Sequence, residues 1–556
     1  MTFRNATALL IATALAAPAQ DPVVSMFPVP KFPEGTFFRQ YIKQELPKVD
    51  LEAPARLAEF VIGDHLELSL RSYLELVLAN NTDIQVQRVT LETFKPDLLR
   101  TFGRFDPILA STFNATRSNQ ATASLLEGTS ALSTLNQPFT GNVTQVLENG
   151  SSYRVGFSAS KFTTNNAFAT LNPQINSGLQ IGYTQPLLQN RGKFVNRIPL
   201  MLAKSRLRQA EHSMKDQLLG LIQRAENAYW QVIQDREFLK VQEEALRVAG
   251  EFLKRNTREL ELGAISALEI YQPQQQYANS EIAVTQARYR LQQSEDQLRR
   301  QIAADLDPQF RNLPIVLTES TLPPTDDAPL DKEKYVEAAY LNRPDLKAQL
   351  QNLDLDDLQY RQIKNQLMPQ LDLNFAYNSN GLSGNQLPRT INLGTGVPTV
   401  TKLIPGGIGG ALNQVFGFDF PTYVGGLTLR LPLRDRTRQA DLADNLIQKR
   451  LDTLRARAIE QTIRQDTLNA VTQVESARAS VKLNQTSLNF SNLRLDAETK
   501  RYDLGVSTIF FVIQAQQDKS RAEGDLVTAS VQYRRALLTL LRVTGTLLEE
   551  RGVVVQ

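Results

Sequence analysis

Two hydrophobic periods run along this chain, and each occurs twice. Leu218, Ala225, Val232, Leu239, Leu246, Leu253 and Leu260 recur every seven residues, as do Val474, Val481, Leu488, Leu495 and Tyr502. A sustained heptad marks a coiled-coil seam on a helix whose remaining faces are solvated. The spacing predicts a helix over about 195–262 and a second of similar length ending near Tyr502. At 1.5 Å per residue each is on the order of 100 Å long. Shorter helical patterns lie on either side. Leu70, Leu74, Val77, Leu78 and Ile84 predict a helix over about 69–100, with a counterpart over about 334–365. Ile270, Tyr277, Val284, Leu291 and Leu298 predict one over about 267–303. Two short helices stacked end to end match one long helix in each half, the plan of a rod.

The period becomes two after Pro107 and Pro369. Leu371, Leu373, Phe375 and Tyr377 alternate with polar or small residues, as do Leu427, Leu429, Leu431 and Leu433, and Leu179, Ile181 and Tyr183. Such alternation gives a strand with one apolar and one polar face. It fits a membrane strand facing lipid and water, and equally a soluble hairpin packed on a core. The stretch 378–419 between the second pair of strands reads as a surface loop rich in Gly, Pro, Asn and Thr. The first half has a longer gap holding a further candidate strand, Tyr153, Val155, Phe157 and Ala159, after the turn Glu148-Asn149-Gly150. That extra hairpin either joins a barrel or decorates its mouth.

These parallels amount to a tandem duplication. An offset of 262 pairs Tyr73 with Tyr335, Asn80 with Asn342, Pro107 with Pro369, Leu109 with Leu371 and Phe113 with Phe375. An offset of 242 pairs Thr257 with Thr499, Leu262-Gly263 with Leu504-Gly505, and Gln272 with Gln514. Each Leu-Gly pair predicts the tip of a helical hairpin, because glycine takes the positive φ that follows a helix C-terminus without steric cost. Ser266 and Thr508 stand where they can cap the next helix. Pro273 predicts a kink or a later start for the helix after the first tip.

Composition narrows the class. The chain has 556 residues, is 42% hydrophobic and has a mean hydropathy of −0.28, too polar for a bundle of membrane-spanning helices. A net charge of +3 argues against a polybasic nucleic-acid surface. With no cysteine and only His65 and His212, disulfides, thiolate metal sites and a His-based metal site are excluded. Neither a cofactor nor a metal is expected. Arg4, the apolar run 6–17 and Ala17-Pro18-Ala19 form an export signal with expected cleavage near Ala19. The expected organisation is a signal peptide (1–19), a Pro-rich extension (20–64), a first repeat (65–325), a second repeat (326–546) and a tail (547–556).

The order of elements, together with Tyr183-Thr184-Gln185-Pro186-Leu187-Leu188, Leu429-Arg430-Leu431-Pro432-Leu433, Ala225-Glu226-Asn227-Ala228-Tyr229 and Arg501-Tyr502-Asp503-Leu504-Gly505, resembles the TolC-type outer-membrane efflux and secretion channels. The resemblance covers nearly all of the mature chain. It implies a mainly α fold with membrane β-strands: a homotrimer whose chains each give four strands to one β-barrel, above an α-helical periplasmic tunnel of coiled-coil hairpins. It implies passive conduction, an inner-membrane pump of the RND, ABC or MFS type, a periplasmic adaptor (membrane fusion protein), and residence in the outer membrane of a diderm bacterium.

It also directs attention to the tips. Leu262, Gly263, Leu504 and Gly505 are candidate adaptor contacts. Tyr502 fits the family's tip tyrosine, whereas Ser507 stands where a basic residue is expected. Phe511 and Gln514 occupy positions of the family's acidic ring, with Glu269 and Gln272 as first-repeat equivalents. Phe510 and Phe511 suggest an apolar constriction, or packing between helices. Trp230 and both histidines read as packing or surface residues. Arg191, Arg197, Arg434, Arg436 and Arg438 are headgroup anchors or solvated caps. The alternative function is a periplasmic coiled-coil adaptor or structural rod outside the membrane. No nucleophile motif, phosphate loop or metal spacing supports an enzyme.

Overall fold

The structure, a computed structural model, describes residues 56–122, 127–263, 265–320, 329–391 and 398–553. The expected signal peptide, most of the Pro-rich extension and the boundary between repeats lie outside these residues. Along the chain come β1 (Val61–Ile62), β2 (His65–Leu68), α1 (Leu70–Asn80), α2 (Thr82–Glu92), α3 (Phe94–Phe102), β3 (Ile108–Phe113), β4 (Thr116–Ala121), β5 (Ala131–Val146), β6 (Ser152–Thr164) and β7 (Leu171–Pro186). Then follow α4 (Lys193–Glu261), α5 (Tyr271–Gln301), β8 (Ile315–Leu317), α6 (Lys332–Asn342), α7 (Pro344–Gln366), β9 (Gln370–Gln386), β10 (Arg389–Ile391) and β11 (Pro398–Val400). The last elements are α8 (Ile408–Gly417), β12 (Pro421–Arg430), α9 (Arg436–Asp503), α10 (Ile509–Val543) and α11 (Leu547–Glu550). Among the described residues no helix is long and apolar enough to cross a membrane.

The chain forms two compact units. One comprises residues up to 93 with 207–351 and 453–556, and it is helical. The heptad positions behave as a seam: Ala225, Val232 and Val474 are buried, as are Val284 and Leu298 on α5. Polar bonds lace neighbouring helices. Arg535 of α10 donates to Gln231 of α4 at 2.7 Å, and Arg494 of α9 pairs with Asp518 of α10 at 2.8 Å. The largest core gathers Tyr73, Leu74, Val77, Ile222, Tyr229, Trp230 and Leu298 around a small sheet in which β2 lies between β1 and a parallel β8. Trp230 is a core residue; its Nε1 donates to buried Glu226, which takes two bonds from Arg551 near the C-terminus.

The expected helix over 69–100 is instead three helices, and that over 334–365 is two. Asn81 is extended, its side chain accepting from the amides of Asp83 and Ile84, so it starts a new helix. At the duplicated position, Arg343 precedes Pro344, which disfavours helical backbone in the residue before it. The long helices match the heptad prediction within two residues at each end of α4.

The second unit, residues 94–206 and 352–452, carries an antiparallel sheet in the order β12-β9-β7-β6-β5, with β3 and β4 following one another along the free side of β5. Among the described residues it therefore has six rows, where the resemblance implied four strands from each chain in the barrel. The further candidate strand is β6, paired on both sides over its length. The expected loop 378–419 also differs. β9 continues to Gln386, and α8 packs on its far end through buried Ala411 and Val415. Ser379 donates to the Val415 carbonyl at 2.7 Å. Gly381 permits this contact, since a Cβ there would meet the Ala411 oxygen at 2.1 Å.

Candidate functional site: the helical tips and the banded sheet

At the second tip, α9 stops at Gly505, whose φ is +75°. The Val506 amide donates to the Arg501 carbonyl at 3.1 Å and the Gly505 amide to Tyr502 at 2.9 Å, satisfying carbonyls that would otherwise be left open. Gly263 repeats this, with φ +72° and a bond to Leu260 at 3.0 Å. The restarts differ. Thr508 occupies the N-cap position of α10 in extended geometry without a side-chain capping bond. Ser266 caps no helix. Its hydroxyl accepts from Leu268 at 3.2 Å within a tight turn, and α5 begins only at Tyr271, leaving Pro273 in its first turn. A proline is tolerated there because the first amides of a helix lack partners anyway.

That later start separates residues the offset had paired. Phe511 sits in the first turn of α10, whereas Glu269 precedes α5. Phe510 and Phe511 meet edge-on at 5.4 Å and are about half exposed in the chain (48% and 47%). Gln514 is exposed beside them, one turn on from Phe510 and Phe511. The packing face of α10 is formed by Ile509, Val512 and Ile513, which contact Phe252, Leu495 and Tyr502.

Tyr502 joins the two tips. Its hydroxyl donates to Glu259 of α4 at 3.0 Å, and the Arg255 guanidinium lies 5.0 Å over its ring. Arg255 in turn pairs with Glu259 at 3.0 Å and Asp503 at 3.1 Å. Burial, then the bond to Glu259, pushes the Tyr502 phenol above its usual value. Ser507 donates to Glu498 at 3.2 Å, and Glu498 is held by Arg501 at 3.0 Å. Arg255, Glu259 and Glu498 were not singled out in the sequence, and Asp503 entered only as part of the tip motif. The four-residue step from Arg255 to Glu259 was the available signal. Leu262 and Leu504, each 78% exposed, stand at the tips. Among the described residues no group of three His, Cys, Asp or Glu could hold a metal ion.

The sheet presents one apolar face. Register places Leu427 and Leu429 of β12 opposite Leu373 and Leu371 of β9, and Tyr183 and Ile181 of β7 opposite Phe375 and Tyr377. Leu373, Phe375, Ile181, Leu427 and Leu429 are exposed large apolar side chains on that face. The other face carries Thr184, Asn374 and Thr428, linked by bonds of 3.0 and 2.9 Å. A contiguous exposed apolar face on long strands is the pattern of a surface facing lipid. Of the arginines beside the strands, Arg197 pairs with Glu148 at 2.8 Å, and Arg438 binds Asp435 and the Gln366 carbonyl.

The profile of the outer membrane efflux protein family matches residues 152–304 and 335–546, more than half of the chain. Comparison with curated proteins finds no match. Among solved structures, the Campylobacter jejuni CmeC outer membrane channel is similar, with a TM-score of 0.57 and 15% identity over 91% of this chain and 94% of that one. The Vibrio cholerae outer membrane protein VceC aligns with a TM-score of 0.57 and 13% identity, over 86% of this chain and 96% of that one. The open-state Neisseria gonorrhoeae MtrE outer membrane channel gives 0.55 and 15%, over 86% and 89%. Identities this low speak for the fold alone.

Proposed function

We propose that this chain, which belongs to the outer membrane efflux protein family, is the exit duct of a tripartite efflux or type I secretion system. On this reading three copies close one β-barrel in the outer membrane and continue as a helical tunnel in the periplasm. Substrates pass passively, delivered by an inner-membrane pump of the RND, ABC or MFS type through a periplasmic adaptor that meets the tips. The observation that carries the reading is the apolar face of the sheet, lined up across rows whose two outermost strands each pair on one side only among the described residues. Open edges in hydrocarbon leave backbone groups unsatisfied, and pairing with further copies removes them.

The tips then frame the aperture. Phe510 and Phe511 narrow it, and the Arg255–Tyr502 cluster holds the two hairpins together. The test is reconstitution of the purified protein into planar bilayers, where discrete conductance steps are expected. Recovery of the full chain as a soluble monomer without detergent would favour the periplasmic adaptor reading instead.

A further inference from the structure

The two repeats build their part of the sheet differently. In the second, β9 pairs directly with β12. In the first, the corresponding strands β3 and β7 are separated by β5 and β6. The family profile begins in the first repeat at residue 152, so β3 to β5 lie outside its match.

A decoration of the barrel mouth would turn at the loop end of the sheet. This hairpin turns at the opposite end, beside the start of α4. The Gly192 amide donates to the Asn149 carbonyl at 3.0 Å, and Glu148 pairs with Arg197. Gly150 has φ +88°, and a Cβ on it would fall 2.1 Å from the Asn190 oxygen and 2.5 Å from Asn196 Nδ2. The turn is thus fitted to the helix end, and β5 and β6 run the length of the sheet.

Their side chains continue the apolar face in register. Tyr153 and Val155 lie opposite Tyr183 and Ile181, Phe157 opposite Leu179, Val143 opposite Val155, and Phe139 opposite Ala159. On β3, Leu109 lies opposite Val143 and Phe113 opposite Phe139, so the band reaches the far edge. Along β6 the apolar positions run from Tyr153 to Ala159, about 20 Å at roughly 3.4 Å per residue. The opposite positions, Asn142, Gly156 and Ser158, are polar or small.

We infer that β5 and β6 are membrane-spanning strands whose apolar face meets lipid, so that each chain gives six rows to the barrel and a trimer closes with eighteen. The inference rests on the channel reading above and adds the calibre of its pore. Six is even, so the β12 edge of one copy and the β3 edge of the next are antiparallel and can pair. Barrel diameter grows roughly linearly with row number, and barrels of about 16–18 strands leave an aqueous channel. The duct is therefore about half again as wide at the membrane as one with four rows per chain, and suits bulkier hydrated cargo.

The chain has no cysteine, so single labels can be placed directly. Nitroxides at Phe157→Cys and Ser158→Cys on β6, and at Leu373→Cys and Asn374→Cys on β9, are compared in phospholipid vesicles. Collision with oxygen and with a water-soluble nickel chelate is read for each. The expected result is the same contrast in both pairs, residues 157 and 373 favouring oxygen, 158 and 374 the chelate. Alternation on β9 with full chelate access at both β6 positions overturns the inference and leaves the channel reading standing. Loss of alternation on β9 overturns both. Electron cryomicroscopy of the detergent-purified full chain counts the rows: eighteen is expected, and twelve with threefold symmetry places β5 and β6 outside the barrel.

Discussion

Gly505 sits at φ +75° with open space where a Cβ would stand, so replacing it changes little besides the backbone. Gly505→Ala is expected to destabilise the tip by about 1–2 kcal/mol, the cost of a left-handed L-residue. Gly505→Asn should cost less. Faster hydrogen exchange at the tip amides measures both. At Phe511, removal of the ring in Phe511→Ala is expected to raise single-channel conductance in planar bilayers, and an unchanged conductance would identify the ring as packing only. Tyr502 adds a pH dependence. Its folded pKa lies above the ordinary value of about 10, so its contribution is full below that value and fades as the pH climbs through the folded pKa. Exchange at the tip should therefore accelerate in strong alkali, and Tyr502→Phe should flatten that step.

Among the elements, the long helices were legible because a heptad repeated over many turns has no competing reading. Their shorter partners were not. Asn81 and Arg343 interrupt patterns whose apolar spacing continues across the break, and a cap or a following proline decides such a break locally. At the candidate site, both glycine stops were readable. The Arg255–Tyr502–Glu259 cluster was not, because it joins residues some 240 positions apart. In the sheet, alternation identified β6 but left its neighbours open, since period two fixes faces and not pairing. Register supplies the missing part and a prediction with it. Phe157→Arg is expected to destabilise the inserted protein by about 2–4 kcal/mol if it lies near the bilayer midplane. Phe375→Arg should do the same, both read by denaturant unfolding from vesicles. Gly150→Ala should lower the yield of inserted protein because the new methyl collides with the Asn190 carbonyl.

For the whole molecule, the expectation is a detergent-dependent assembly of three chains, each 62.3 kDa less the cleaved export signal, checked by light scattering with detergent correction. The hairpin turning at Gly150 has a further consequence for how such assemblies diversify. A tube of antiparallel rows cannot gain a single row, because the helix that follows would then emerge on the wrong side of the membrane. Two rows joined by one short turn are the smallest addition that preserves the chain's polarity. Here that addition falls between β3 and β7 while both helical hairpins keep their heptads and glycine stops. On the channel reading proposed above, the rows of the sheet and the helical hairpins can then vary separately, and a lineage can re-gauge its barrel while the tips stay as they are.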